Sequence, residues 1–271
     1  MNPILNADRQ TIGVLSVATN IYLNYWKQMV ASANNLAKKS DLVTFTVFTD
    51  NPIEAIEFGD TLENITVNVF KIPAYSWPDA TLLRYSIFED HSSHLQTDIL
   101  VYLDADMLIV ANPWERIKES LATEGMCFVQ HPGYWRPRKV KKMKFYFTNP
   151  RSAISDLLIW TRSGGIGAWE GDIRSKAFIP RSKRKNYYCG GMWFGTRETF
   201  IRLLRELSEN VKEDNENSVM ARWHDESHLN YWASQNEHTF VSPEFCFDNS
   251  YKHLNDLSPV IVAVRKEERT R

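Results

Sequence analysis

The 271 residues, 43% of them hydrophobic, are enough to bury a substantial core as one α/β unit, and no second independent domain is expected. Basic and acidic residues nearly cancel, 32 against 33, so no global field recruits nucleic acid or a membrane, and any such partner must come from a local patch. Cys127, Cys189 and Cys246 are too few and too widely spaced for a disulfide framework or a zinc site, which points to a reducing compartment.

In chain order, Thr11 to Ala18 is β-rich. Tyr22, Tyr25, Trp26, Met29, Val30, Ala33, Leu36 and Ala37 then recur at helical spacing. Leu42 to Thr49 reads as a second strand closed by the turn cluster Asp50-Asn51-Pro52, and Ile65 to Ile72 as a third. A helix carrying Leu82, Leu83, Ile87 and Phe88 leads to the apolar run Ile99 to Leu103. Strands alternating with helices predict a mostly parallel sheet, with ligands beyond the carboxyl ends of its strands. Gly125 to Gln130 is a further strand, Tyr134 to Trp169 is irregular, basic and aromatic, and Met192 to Gly195 is a short buried strand. Phe200, Ile201, Leu203, Leu204, Leu207 and Val211 mark a helix that gives way to a solvated loop at Glu213 to Asn217. No apolar run approaches the roughly 18 to 20 residues of a membrane span, and the polar start Met1 to Gln10 has no signal-peptide pattern, so a soluble cytoplasmic protein is expected.

Three clusters carry chemistry. Asp104 and Asp106 follow the Ile99 strand, and two carboxylates one residue apart at a strand end can hold a divalent cation against a nucleotide diphosphate. The same Asp-x-Asp pattern also serves as a plain turn. Trp223-His224-Asp225-Glu226-Ser227-His228-Leu229-Asn230 crowds acids, imidazoles and an indole into eight positions. Read blandly, Asp225 and Glu226 are helix-start acids, His228 a surface residue and Trp223 core. Tyr187-Tyr188-Cys189-Gly190-Gly191 places glycines where backbone approaches something closely, or simply marks a buried strand with a bulge.

Together and in this order the segments resemble glycosyltransferase family 6, the family of the blood-group A and B transferases and the α1,3-galactosyltransferases. The similarity runs from about residue 11 to 266 through Thr11-Ile12-Gly13-Val14, Val47-Phe48-Thr49-Asp50, Asp104-Ala105-Asp106, His131-Pro132-Gly133, Ala177-Phe178-Ile179-Pro180 and Ser242-Pro243-Glu244-Phe245. The string from His224 to Asn230 is its most specific element. Between His131-Pro132-Gly133 and Ala168-Trp169-Glu170 this chain is longer than the mammalian pattern.

The resemblance implies a GT-A type, Rossmann-like nucleotide-sugar-binding fold in a single catalytic domain, residues 1–271. Residues 11–110 would form its nucleotide-binding half, and residues 111–271 the acceptor-binding half and C-terminal tail. It implies a retaining enzyme that moves GalNAc or galactose from a UDP-sugar in α1,3 linkage onto a galactose-type glycan, with Mn²⁺, or Mg²⁺ in its place, on Asp104 and Asp106. A non-catalytic carbohydrate-binding protein and a UDP-sugar hydrolase are the rival readings. Val17, Ala18 and Tyr22 match positions around the uracil and ribose. Arg84, Cys189, Gly190, Gly191 and Asp225 match donor positions, and Lys266 in the tail matches a basic residue that closes over the diphosphate. Glu226 matches the carboxylate at the anomeric carbon, as nucleophile or as charge stabiliser. His131, Trp223, Glu226 and Asp248 match acceptor contacts. Gly191 points to UDP-GalNAc, because a Cβ there would occupy the space of an acetamido group. Mammalian members carry a membrane anchor and stem, so a bacterial or viral member, or a trimmed catalytic domain, is expected. The basic stretch 136–144 lies in the extra loop and reads as a solvated segment, or as a surface for an anionic acceptor or a membrane. No nucleic-acid partner is expected.

Overall fold

The computed structural model describes residues 10–76, 78–121, 125–137 and 140–264. Among these residues seven strands form one sheet in the order β3-β2-β1-β4-β7-β6-β8. They are β1 (Ile12–Val17), β2 (Val43–Thr49), β3 (Thr66–Lys71), β4 (Ile99–Leu103), β6 (Met126–Gln130), β7 (Tyr188–Thr196) and β8 (Thr239–Val241). β1, β2, β3 and β4 run parallel to one another, whereas β7 runs antiparallel to both β4 and β6. The expected mostly parallel sheet is therefore present, with β7 as its one reversed member.

Helices cover both faces, which is why β1 and β4 are apolar on both sides rather than alternating. On one face α1 (Tyr22–Leu36) brings Trp26, Met29 and Val30, and α5 (Trp114–Ser120) brings Trp114 and Ile117. On the other, α4 (Arg84–Asp90) and α8 (Arg197–Glu216) supply Tyr85, Phe88, Phe200 and Leu203, joined by Trp232 of α9 (His224–Gln235). The strand order reverses at β1, so the crevice beyond the carboxyl ends of β1 and β4 is where this architecture binds ligands. Asp104 is the residue after β4.

Several local expectations are corrected. Asp50-Asn51-Pro52 starts a helix, α2 (Pro52–Gly59), because proline in the first turn forfeits no intrahelical bond and presets φ. The basic aromatic segment after Tyr134 is largely helical, forming α6 (Val140–Thr148) and α7 (Pro150–Ser163). α8 continues through Glu216 instead of dissolving at Glu213, because Asp214 faces inward and accepts from Ser175 Oγ at 2.6 Å and the Lys176 N–H at 2.7 Å. A second small sheet pairs β5 (Met107–Ile109) with β9 (Ile261–Ala263), and Val264 donates its N–H to the Asp106 carbonyl at 2.9 Å. No helix among the described residues is long and apolar enough to cross a membrane.

Candidate active site

Period-two alternation puts Tyr102 and Asp104 on the same side of β4, and the Tyr102 hydroxyl donates to Asp104 Oδ1. Trp193, opposite Tyr102 in the antiparallel register, stacks on its ring at 5.2 Å between centroids. Arg84, at the start of α4, lies over the Tyr102 ring with its guanidinium carbon 4.6 Å from the centroid. Its Nη1 reaches Asp104 Oδ1 at 3.4 Å and Asp225 Oδ2 at 3.1 Å. Burial opposes this charge, but Asp225, Tyr102 and Asp104 more than offset it and hold the guanidinium protonated.

The string 224–230 explains its own composition once it is wound into α9. Asp225 and Glu226 in the first turn face the crevice, while the Ser227 hydroxyl turns back to accept the Trp223 N–H at 3.0 Å. His228 is buried 3.5 Å from Asp214, not on the surface, and Leu229 enters the core. Asn230 clamps the helix to β7, accepting from the Tyr188 N–H and donating to the Tyr188 carbonyl, both at 2.9 Å.

β7 passes between the two groups of acids, and glycine is what lets it. A Cβ on Gly191 would sit 3.0 Å from Asp104 Oδ2, and one on Gly190 3.2 Å from both Asp225 Oδ2 and Glu226 Cβ. The Gly190 N–H donates to Glu226 Oε2 at 2.8 Å and the Tyr187 hydroxyl to Oε1 at 2.7 Å. Desolvation pushes Glu226 up to about 7 despite those two donors, and Asp225 up to about 6 despite Arg84. With one arginine among Asp104, Asp106, Asp225 and Glu226, the site carries excess negative charge suited to a cation or a developing positive charge.

Two cavities meet here. The first, about 380 Å³, is lined by Val17, Tyr22, Arg84, Tyr102, Asp104 and Asp106. The second, about 400 Å³, is lined by Gly190, Gly191, Trp223, Asp225 and Glu226, together with His131. Thr81, Arg84 and Asp104 border both. Hollows of about 530 and 650 Å³ lie elsewhere, but each has a single carboxylate in its wall, Glu63 or Glu198.

Most of the expected site residues therefore converge, with specific exceptions. Ala18 is fully buried with its N–H on the Phe48 carbonyl and lines neither cavity. Cys189 is core: it hydrogen-bonds Cys246, an interaction that with burial raises the Cys246 thiol well above its ordinary range. Asp248 lies outside the second cavity's wall, close enough to oppose the fall of His131, which desolvation lowers to about 4. Trp223, 47% exposed, is not core. Lys266 falls outside the described residues. Tyr102 and Tyr187 were not singled out in the sequence; the period-two relation of Tyr102 to Asp104 was the available signal, and Tyr187 stood unassigned in the glycine cluster. Among the described residues no group of three or more His, Cys, Asp or Glu could hold a metal ion, so a cation here would depend on two carboxylates plus ligand oxygens.

A doubly covered sheet with one reversed strand and an acid-rich crevice at its switch point is the Rossmann-like GT-A arrangement of nucleotide-sugar glycosyltransferases. The chain belongs to glycosyltransferase family 6, whose model matches residues 1–165 and 166–271. Globoside alpha-1,3-N-acetylgalactosaminyltransferase 1 of Gallus gallus is 28% identical over 244 residues, covering 88% of this chain and 62% of the relative. Histo-blood group ABO system transferase 1 of Rattus norvegicus is 26% identical over 256 residues, covering 92% and 64%. The chain thus spans less than two thirds of the length of these relatives. The O-antigen biosynthesis glycosyltransferase WbnI of Escherichia coli is 25% identical over 260 residues, covering 95% of both chains. The family supports a glycosyl-transfer role.

Proposed function

We propose that this chain is a retaining hexosyltransferase that moves GalNAc, or galactose, from its UDP-sugar in α1,3 linkage to a galactose-type acceptor. The carrying observation is the pair of cavities joined at Arg84 and Asp104, with Asp104 and Asp106 on one side and Asp225 and Glu226 on the other. In this reading the uridine sits against Val17 and Tyr22, and the hexose lies over Gly190 and Gly191 with its hydroxyls on Asp225. Arg84 neutralises the donor side, and its Nε has no acceptor among the described residues.

Asp104 and Asp106 fit Mn²⁺ or Mg²⁺, being hard, acceptor-only oxygen ligands that leave most of the coordination shell to phosphate oxygens. Such a cation would supply charge neutralisation of the leaving diphosphate. The protein's own contribution is to hold the Glu226 side chain against the anomeric carbon, oriented by Tyr187 and the Gly190 N–H. Covalent and front-face routes both use that carboxylate ionised. Trp223 offers an apolar face to the acceptor ring, and His131, kept neutral by desolvation with its Nδ1 accepting the Gly133 N–H, has its Nε2–H to donate to a hydroxyl.

The names of the relatives, which act through α1,3 N-acetylgalactosaminyl transfer, blood-group transfer or O-antigen synthesis, support this reading. UDP release from a panel of UDP-sugars, with and without Mn²⁺ and a galactose-terminated acceptor, tests it. Release requiring both metal and acceptor is the expected result. Release independent of acceptor identifies a hydrolase, and binding without release a carbohydrate-binding protein.

A further inference from the structure

The segment of extra length is an unusual piece of surface. Between residues 136 and 163 the sequence has Arg136, Arg138, Lys139, Lys141, Lys142, Lys144, Arg151 and Arg162 against a single acid, Asp156, in a chain whose charges otherwise nearly cancel. That acid is consumed internally: buried, it takes Arg136 Nε and Nη2, both at 2.6 Å, and the Tyr146 hydroxyl at 2.8 Å.

The helices of this segment are amphipathic in an inverted sense. At 100° per residue, Ser152, Ala153, Asp156 and Ile159 fall on one side of α7 and are at least half buried, whereas Ile154, Leu157 and Leu158 fall on the other and are exposed. α6 repeats the arrangement, with Phe145 and Tyr146 turned toward the domain and Met143 and Phe147 turned out, 76% and 92% exposed. Trp160, on the Asp156 side of α7, is also exposed. An ordinary surface helix places its one apolar stripe inward; here the buried Asp156 anchor faces in beside Ala153, Ile159 and Phe145, a second apolar stripe faces out, and Lys141, Lys144, Arg151 and Arg162 are exposed on the same two helices.

We propose that α6 and α7 form a docking surface for an anionic lipid bilayer. Apolar side chains ringed by lysine and arginine match the two terms of interfacial binding, insertion among acyl chains and attraction to negative headgroups. A protein partner would have to match the exposed basic residues of both helices with its own acids, whereas a bilayer presents that charge without geometric demand. The element is rooted at the crevice. Arg136 also donates to the Gly133 carbonyl at 3.1 Å, and His253, against Phe145 and Trp135, bonds the Pro132 carbonyl at 2.8 Å. Their neighbours His131 and Tyr134 line the second cavity. A bilayer on this face would present glycans of lipid-borne acceptors at that mouth; this consequence, unlike docking itself, rests on the transfer reading above.

Sedimentation with equimolar phosphatidylglycerol and phosphatidylcholine vesicles, against phosphatidylcholine alone, reads docking without turnover. The full chain should sediment with the anionic vesicles only and be released by salt. Phe147→Ser with Leu157→Ser, and separately Lys141→Glu with Lys144→Glu, should each weaken binding at least about tenfold while leaving UDP release with a soluble acceptor unchanged. Because all four side chains are exposed, thermal melting should match the parent. No sedimentation at low salt, or variants that bind as the parent does, overturns the proposal. So does a solution dimer that the apolar variant converts to monomer, since the face would then belong to a second copy.

Discussion

Two pairs of acids stand on either side of Arg84, and they are built in opposite ways. Asp104 and Asp106 come from a strand end, project into a crevice, and are both partly exposed. Asp225 and Glu226 come from the first turn of a helix packed on β7, and their carboxyls are pushed up to about 6 and 7 by loss of solvent. An open pair suits an ion that arrives with its own ligands. A desolvated pair suits charge that develops only during reaction, where a low dielectric makes each carboxylate count for more. The structure thus separates the two pairs by burial rather than by residue type, and the proposed division into metal loading and chemistry rests on that difference.

The sharpest way to break this contrast is Glu226→Gln, which keeps shape and removes charge. Transfer should fall on the order of 10³-fold while UDP affinity, measured by calorimetry, stays within about twofold. Near-normal turnover would remove Glu226 from the chemistry. The same pair dictates a pH profile. Asp225 and Glu226 must be ionised, so kcat/KM should rise with pH through about 6 to 7 and level above it. For stability the sign is opposite. Between pH 4.5 and 7 the unfolded chain has released a proton that folded Glu226 keeps, so this group costs stability as pH rises through that window. Above it Glu226→Gln should gain about 1 kcal/mol, a figure reduced because Glu226 is partly open to the cavity. Chemical denaturation at pH 5 and pH 8 checks the difference.

The open pair should fail differently. Chelation with EDTA, or Asp106→Asn, should lower transfer about 10²-fold through donor binding, with Mn²⁺ restoring the chelated parent but not the variant. Transfer that survives thorough chelation would strip Asp104 and Asp106 of the metal role. Arg84, which touches both pairs, should give a smaller loss. Arg84→Lys keeps the charge but loses the stack on Tyr102, lowering kcat/KM between about 10- and 100-fold and destabilising the fold by about 1 to 2 kcal/mol.

The open pair was legible in the sequence because a strand end is marked locally, by an apolar run stopping at two aspartates. The closed pair was legible only as a string of unusual composition. What makes it a site is contact with Gly190 and Tyr187, some 36 and 39 residues away, and with Arg84, which no spacing rule supplies. For the same reason nothing in the sequence signals that Ala18 and Cys189, expected at the donor, and Asp248, expected at the acceptor, stand outside the lining of both cavities: each is near a lining residue, and only packing decides which side chain faces in. The Tyr134 to Trp169 segment failed for another cause. Its helices put apolar residues outward, so periodicity measured against a core had nothing to find.

The smallest effect is the most discriminating, because adjacent glycines face different pairs. A Cβ at Gly191 approaches Asp104, and one at Gly190 approaches Asp225 and Glu226. Gly191→Ala should reduce turnover of UDP-GalNAc about tenfold more than that of UDP-galactose, the scale expected when one methyl group invades a ligand pocket. Gly190→Ala should reduce both donors alike, since it crowds Asp225 and Glu226, which the proposed mechanism uses for either hexose. Paired measurement of kcat/KM for the two donors separates steric selection from damage. If Gly191→Ala lowers both donors equally, the glycine serves to give Asp104 room, and the preference for an N-acetylated sugar loses its structural basis.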